Sequence, residues 1–228
     1  VIASASIPLI IQNYVPVNEL RRDGKERYVF RAMFNGGTVM FLLGSFGLGF
    51  AMFAMLTHLP LFLTSYVGLT VVEAGFMLAL IQLFSFFGRI GLGVLVDRFF
   101  RKTRVAALFF ASLIAAAAST VFLLSVSSQI WVATASLAFL GFFLFGSIGI
   151  VFTVGSELFD VEHVGVASGL TYFFLALGNA FGPFVFGQVA DIGGYWSAWR
   201  LYVLIAYLLS LTFLFAWLSK MKQNNLFR

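Results

Sequence analysis

The chain has 228 residues, of which 61% are hydrophobic and 10% charged, with a formal net charge of +5. Soluble domains carry roughly 25% charged residues, so this composition leaves too little polar surface for a water-soluble fold and makes the bilayer the expected solvent. With no cysteine, disulfide frameworks and thiolate metal sites are excluded.

In chain order, residues 1–15 are apolar but too short to span, and Pro8 interrupts them. Residues 1–17 are expected to be the remnant of a preceding transmembrane helix. The chain opens on Val without a secretory signal pattern, so it is read as the later part of a longer protein. Residues 18–35 form a polar segment with Arg21, Arg22, Lys25, Arg27 and Arg31, expected to be a cytoplasmic linker. Six stretches then reach spanning length: 39–66, 72–96, 105–126, 131–154, 164–190 and 201–218. Crossing the hydrocarbon core takes about 20 apolar residues in a helix. None alternates with period 2, as barrel strands do. The predicted fold class is an all-α membrane protein, a six-transmembrane-helix bundle over residues 36–220, followed by a cytoplasmic tail at 221–228.

Cation placement predicts orientation, because Lys and Arg collect on the cytoplasmic side. The 18–35 linker, the 97–104 loop and the tail after Leu218 hold 12 of the 14 cations. The opposite side has Arg200, and Arg89 lies inside a span. The positive charge is thus a topology signal, and no nucleic-acid partner is expected.

Polar residues within the spans fall on faces. Gln82, Ser85, Arg89, Gly93 and Asp97 share one face of the second span. In the first, Gly44, Gly47, Ala51 and Ala54 make a small-residue stripe ending at His58. In the fifth, Ser168, Tyr172, Asn179 and Pro183 align, with Gly165, Gly169, Ala176, Ala180 and Gly187 beside them. Ser136 and Ser147 mark a weaker face in the fourth. The third and sixth spans read as lipid-facing buttresses. Small-residue stripes commonly mean close helix packing, and His58 is open to the same reading.

A cation at mid-span costs on the order of 2.5–3.5 kcal/mol on insertion scales, so Arg89 needs compensation. No Asp or Glu lies at matching depth in any span, which leaves a substrate or ion site, a structural pairing, or snorkelling. Asp97 sits at the predicted C-terminus of the second span, where the helix dipole disfavours an acid. Arg98 and Arg101, the latter at i+4, are its expected compensation.

The run Gly93-x-x-x-Asp97-Arg98-x-x-Arg101-Lys102 resembles the loop signature between the second and third spans of each half in the major facilitator superfamily. Phe100 stands where that family usually has Gly. The segment GVASGLTYFFLALGNAFGPFVFGQVAD is similar to its eleventh span, and SELFD to the end of its tenth. The resemblance covers residues 36–220 and implies the C-terminal half of a twelve-helix fold, working by alternating access around a midplane site. An Arg four residues before that Gly, as Arg89 is, resembles the substrate arginine of carriers for monocarboxylates, oxalate/formate and nitrate, although similar stretches occur in carriers of other substrates.

The expected function is therefore secondary active transport of a small solute, an organic anion, by symport or antiport. The alternatives are a multidrug or sugar-type carrier of the same superfamily, or a non-transporting membrane scaffold. Candidate substrate residues are Arg89, His58, Gln82, Ser85, Tyr172 and Asn179; the gate loop is Gly93, Asp97, Arg98, Arg101 and Lys102. No catalytic residue, metal or cofactor is expected. Expected partners are the substrate, a coupling proton or ion, the lipid bilayer, and an N-terminal six-helix half of the same carrier. The expected location is a bacterial inner or plasma membrane, with linker and C-terminus cytoplasmic.

Overall fold

A computed structural model describes residues 35–101, 103–158 and 161–226; residues 1–34, Lys102 and the end of the tail lie outside the described residues. Six helices of spanning length follow in order: α1 (Gly36–Ser65), α2 (Val71–Phe99), α3 (Arg104–Ser125), α4 (Ile130–Ser156), α5 (Val164–Gly193) and α6 (Tyr195–Leu226). No strand occurs among the described residues. Five spans match the sequence reading to within three residues at each end. The sixth begins at Tyr195 rather than 201, because Gly194 at φ +76° ends α5 and the chain turns at once into α6. The aromatic stretch Tyr195–Trp199 lies inside that helix; such amphipathic rings suit the membrane interface.

Local chemistry starts and stops these helices. The Asn35 side chain accepts from the Gly37 amide and caps α1. Thr70 and Glu73 form a reciprocal capping box at α2: Thr70 Oγ1 accepts from the Glu73 amide, and Glu73 accepts from the Thr70 amide at 2.8 Å. Several hydroxyls buried in the spans bond back to their own helix, as Ser45 does to the Phe41 carbonyl, Ser119 to Ala115 and Thr171 to Ala167. The fourth span is interrupted by a π-helical turn at Gly141–Phe145 between α-helical Ile130–Leu140 and Ile148–Ser156.

α1 lies along α5, α2 along α4, and α3 between α4 and α6, which also covers α1. Two of these seams are backbone against backbone. A Cβ on Gly178 would lie 1.9 Å from the Phe46 carbonyl oxygen, one on Gly182 would lie 2.3 Å from that of Phe50, and one on Gly49 2.2 Å from that of Leu175. At the second seam, a Cβ on Gly88 would meet the Phe142 oxygen at 2.2 Å, one on Gly141 the Ile81 oxygen at 2.3 Å, and one on Gly146 the Gly88 Cα at 2.8 Å. The small-residue stripe read in α1 has a different use: Gly44 receives the Phe213 ring and Gly47 the Leu209 side chain, both from α6. The sixth span thus packs on α1 with large side chains set into small ones, whereas the third, expected to face lipid, has half of its most apolar window buried.

The antiparallel order gathers Asn35, Val105, Glu157 and Lys220 around one cavity of about 210 Å³, so the starts of α1 and α3 and the ends of α4 and α6 share one end of the bundle. At the other end Phe62, Tyr66, Tyr195, Trp196 and Trp199 join α1 to α6 through ring contacts. The most apolar windows of α2 and α5 are only 28% and 22% buried, against 61% for α1. Those two helices carry the bundle's open faces.

Candidate functional site

Arg89 is exposed on α2, one residue past the Gly88 crossing. It lines a crevice of about 180 Å³ between α2 and α4, together with Gly93, Asp97, Arg104, Gly149 and Thr153. The crossing makes this possible, because α4 can approach α2 closely only where Gly88 and Gly146 remove the side chains. Among the described residues Arg89 makes no ion pair. Its guanidinium is a fork of donors, suited to two oxygens of one carboxylate or phosphate.

Asp97 at the end of α2 and Arg104 at the start of α3 form the charged end of this crevice. Asp97 accepts from Arg104 Nη2 at 3.2 Å, and Arg104 Nη1 donates to Glu157 at the end of α4. The expected compensation of Asp97 by Arg98 and Arg101 is corrected here: among the described residues neither pairs with it. Arg98 follows Asp97 directly and points away, its guanidinium 5.7 Å from the Phe99 ring centroid. Arg101 lies beyond Phe100, where the backbone leaves the helix at ψ 19°, so i+4 spacing no longer applies. The turn through Thr103 instead returns Arg104, the first residue of α3, to the carboxylate. Gly93 lines the crevice with no heavy atom within 4 Å of its would-be Cβ, and Lys102 lies outside the described residues.

The remaining candidates are dispersed along the bundle. Ser85 is 2% exposed, and its hydroxyl has no hydrogen-bond partner among the described residues. Gln82 is exposed on α2, two turns from Arg89. Tyr172 is 60% exposed and stacks on Phe152 of α4, the residue before Thr153. Asn179 packs into the α1–α5 seam, its Oδ1 2.8 Å from where a Gly49 Cβ would be. His58 lies towards the aromatic end. Its Nε2 is 3.0 Å from the Pro183 carbonyl oxygen, its Nδ1 is 3.4 Å from the Tyr195 hydroxyl, and its ring stacks on Phe186 at 4.6 Å. Gly187 lies beside the ring, its would-be Cβ at an ordinary 3.4 Å from Cε1. Among the described residues no three His, Asp or Glu gather as a metal site would require.

Sequence reasoning missed Arg104 and Glu157. Both were legible as charges, but as members of loops, and only the return of α3 against the end of α4 makes them neighbours.

Comparison with known proteins fits this architecture. The sequence model of the Major Facilitator Superfamily matches residues 5–183. The chain belongs to the Major Facilitator Superfamily. As a member, it is an integral, multi-pass membrane protein with the six-helix half-bundle of that fold. A probable hexose phosphate transport protein of Chlamydia pneumoniae is 29% identical over 156 residues, covering 68% of this chain and 34% of that protein. The in meso crystal structure of the POT family transporter PepTSo superposes with a TM-score of 0.67 at 17% identity, over 82% of this chain and 38% of that one. An auto-inhibited POT family peptide transporter gives 0.67 at 20% identity, over 79% and 36%. At such identities these two structures show the superfamily fold alone. The chain spans about a third of the length of each of these relatives.

Proposed function

We propose that this chain is the C-terminal half of a secondary transporter that carries a small organic anion by alternating access, with Arg89 as the anion's anchor. The observation that carries this reading is Arg89 itself, a cation within a span, lining a crevice and lacking a carboxylate partner among the described residues. An arginine in that position gains most from an anion that arrives and leaves. The named cargo of the Chlamydia relative, a hexose phosphate, is also an anion. Gln82, two turns from the anchor, and Tyr172, stacked on Phe152, are exposed, while His58, Ser85 and Asn179 would reach a substrate only by exchanging their positions in the seams.

The rest of the reading follows from the open faces and the charges. The faces of α2 and α5 are those that an N-terminal six-helix half would cover. The charged end, with Arg98, Arg101, Arg104, Lys220 and Lys222, is cytoplasmic by the positive-inside rule, as are the 18–35 linker and the tail. An ion gradient supplies the driving force, and the Asp97–Arg104–Glu157 contact latches the cytoplasmic end.

Arg89→Gln and Arg89→Lys in the full-length carrier test this reading by uptake of labelled lactate, oxalate and glucose 6-phosphate into vesicles. Loss of a charge-assisted fork is worth roughly 1.5–3 kcal/mol, so lactate or oxalate uptake at low concentration is expected to fall about tenfold or more in Arg89→Gln. Unchanged uptake removes Arg89 from the site. A multidrug-type carrier would tolerate both variants.

A further inference from the structure

The crevice at Arg89 holds more positive charge than one anchor needs. Two guanidinia, Arg89 and Arg104, line it against one carboxylate, Asp97. Glu157 takes the other side of Arg104 and lines a different cavity. The Asp97 contact is slight: one oxygen to one nitrogen at 3.2 Å, from a side chain 70% exposed. Arg104 Nε is buried and has no hydrogen-bond partner among the described residues, although such a donor is costly to leave unmade. Thus the crevice presents an unpaired cation, a second cation shared between two acids, and an acid that is easily displaced.

Resting on the anion reading above, we propose that this crevice is the carried anion's station at the charged end of the bundle, with Arg104 as a second cation beside the Arg89 anchor. There a small carboxylate is held between Arg89 and Arg104 and takes the place of Asp97 on Arg104. Arrival of the anion then loosens the gate loop, because the ligand and Asp97 compete for one guanidinium. Substrate occupancy and the latch are coupled through Arg104, with a ligand that prefers one state shifting the population toward it.

The walls set the substrate class. Apart from the charged groups, the crevice offers Gly93, Val96, Gly149, Ile150 and the Thr153 hydroxyl, whose proton already goes to the Gly149 carbonyl. A sugar phosphate would find no ring of partners for its hydroxyls, each costly to bury unpaired. At about 180 Å³ the space is also below the 300–1,000 Å³ typical of sites for larger ligands. A carboxylate of a few carbons fits both limits.

Transport by the full-length carrier in phosphatidylcholine vesicles, with labelled lactate as probe, tests the station when half-saturation is measured separately at each membrane face. Arg104→Lys keeps the charge and loses the fork. Gly149→Val fills the crevice at a position whose Cβ would meet nothing within 4 Å, so it is expected to fold normally. Both are expected to raise half-saturation at the charged face by about tenfold, with little change at the opposite face. Asp97→Asn removes the competitor and is expected to lower it.

If Arg104 only latches, Arg104→Lys changes the maximal rate at both faces together and Gly149→Val changes nothing; that result overturns the station. Preserved glucose 6-phosphate transport with no lactate transport overturns the substrate class. Should Arg89→Gln leave uptake intact, the anchor reading itself falls. If Arg89→Gln abolishes uptake while Gly149→Val and Arg104→Lys leave both faces unchanged, only the station falls.

Discussion

Gly178→Ala is the sharpest test of how the bundle is held together. The added methyl would sit 1.9 Å from the Phe46 carbonyl oxygen and 2.7 Å from the Phe50 amide nitrogen. Ordinary contact begins at 3.4 Å, so α5 must retreat from α1 by roughly 1.5 Å, and no rotamer change relieves a clash with backbone. That retreat also unseats Gly49 and Gly182, whose faces share the seam. Overpacking that forces side chains and backbone to shift costs typically 1–3 kcal/mol, occasionally more; with backbone on both sides the expected loss lies at the upper end, about 3 kcal/mol. On the scaling for domains of this size, that lowers the melting temperature by roughly 6–12 °C. The assay is thermal unfolding of the purified carrier in detergent, followed by tryptophan fluorescence, with Gly169→Ala as the control. Gly169 has nothing within 4 Å of its would-be Cβ, so its variant is expected to melt at or slightly above the parent, helped by the better helix propensity of Ala. A Gly178→Ala protein melting within 2 °C (about 0.5–1 kcal/mol) of its parent would refute the backbone-contact account.

Gly88→Ala is expected to behave like Gly178→Ala in the same assay, and in addition to impair transport, since it separates α4 from the Arg89 crevice. Thr70→Ala removes the α2 capping box and is expected to cost about 1 kcal/mol, read as a small fall in melting temperature that Thr70→Ser restores. Glu157→Gln strips one partner from Arg104 in a partly exposed pair, so the stability change is expected to stay within about 1 kcal/mol and to shrink in high salt. His58→Leu leaves the Pro183 carbonyl oxygen without its imidazole partner, at roughly 1–3 kcal/mol. Uptake scaled to folded protein should then be retained if the ring acts only as a brace; loss of uptake in a normally folded variant would place His58 on the substrate path.

The spans were legible because their signal is local: about 20 apolar residues between polar turns needs no knowledge of neighbours. The seams were not legible in this way. The stripe Gly44, Gly47, Ala51 and Ala54 was real, yet two of its glycines serve α6, whereas the backbone contact with α5 runs through Gly49. Which side of a helix meets backbone depends on the partner, and one helix's periodicity does not name its partner. The faint face read from Ser136 and Ser147 has a further cause. The π turn at Gly141–Phe145 adds a residue to the winding between them, so a constant 100° step fails across the fourth span. The capping box was readable from Thr70-Val-Val-Glu73 and was overlooked beside the longer apolar signal. At the site, Arg89 announced itself by being a charge among apolar residues, while Arg104 was hidden among loop cations until α3 folded it back.

The two glycine seams also constrain how the molecule can move. Where main chain rests on main chain there is no cushion of side chains to slide or re-pack, so α1 with α5, and α2 with α4, are each riveted into a single stiff plank. Any change of shape has to be absorbed where rings and aliphatic chains interdigitate, along α3 and α6, or outside the bundle altogether. Such a body is built to move as one piece and not to breathe internally.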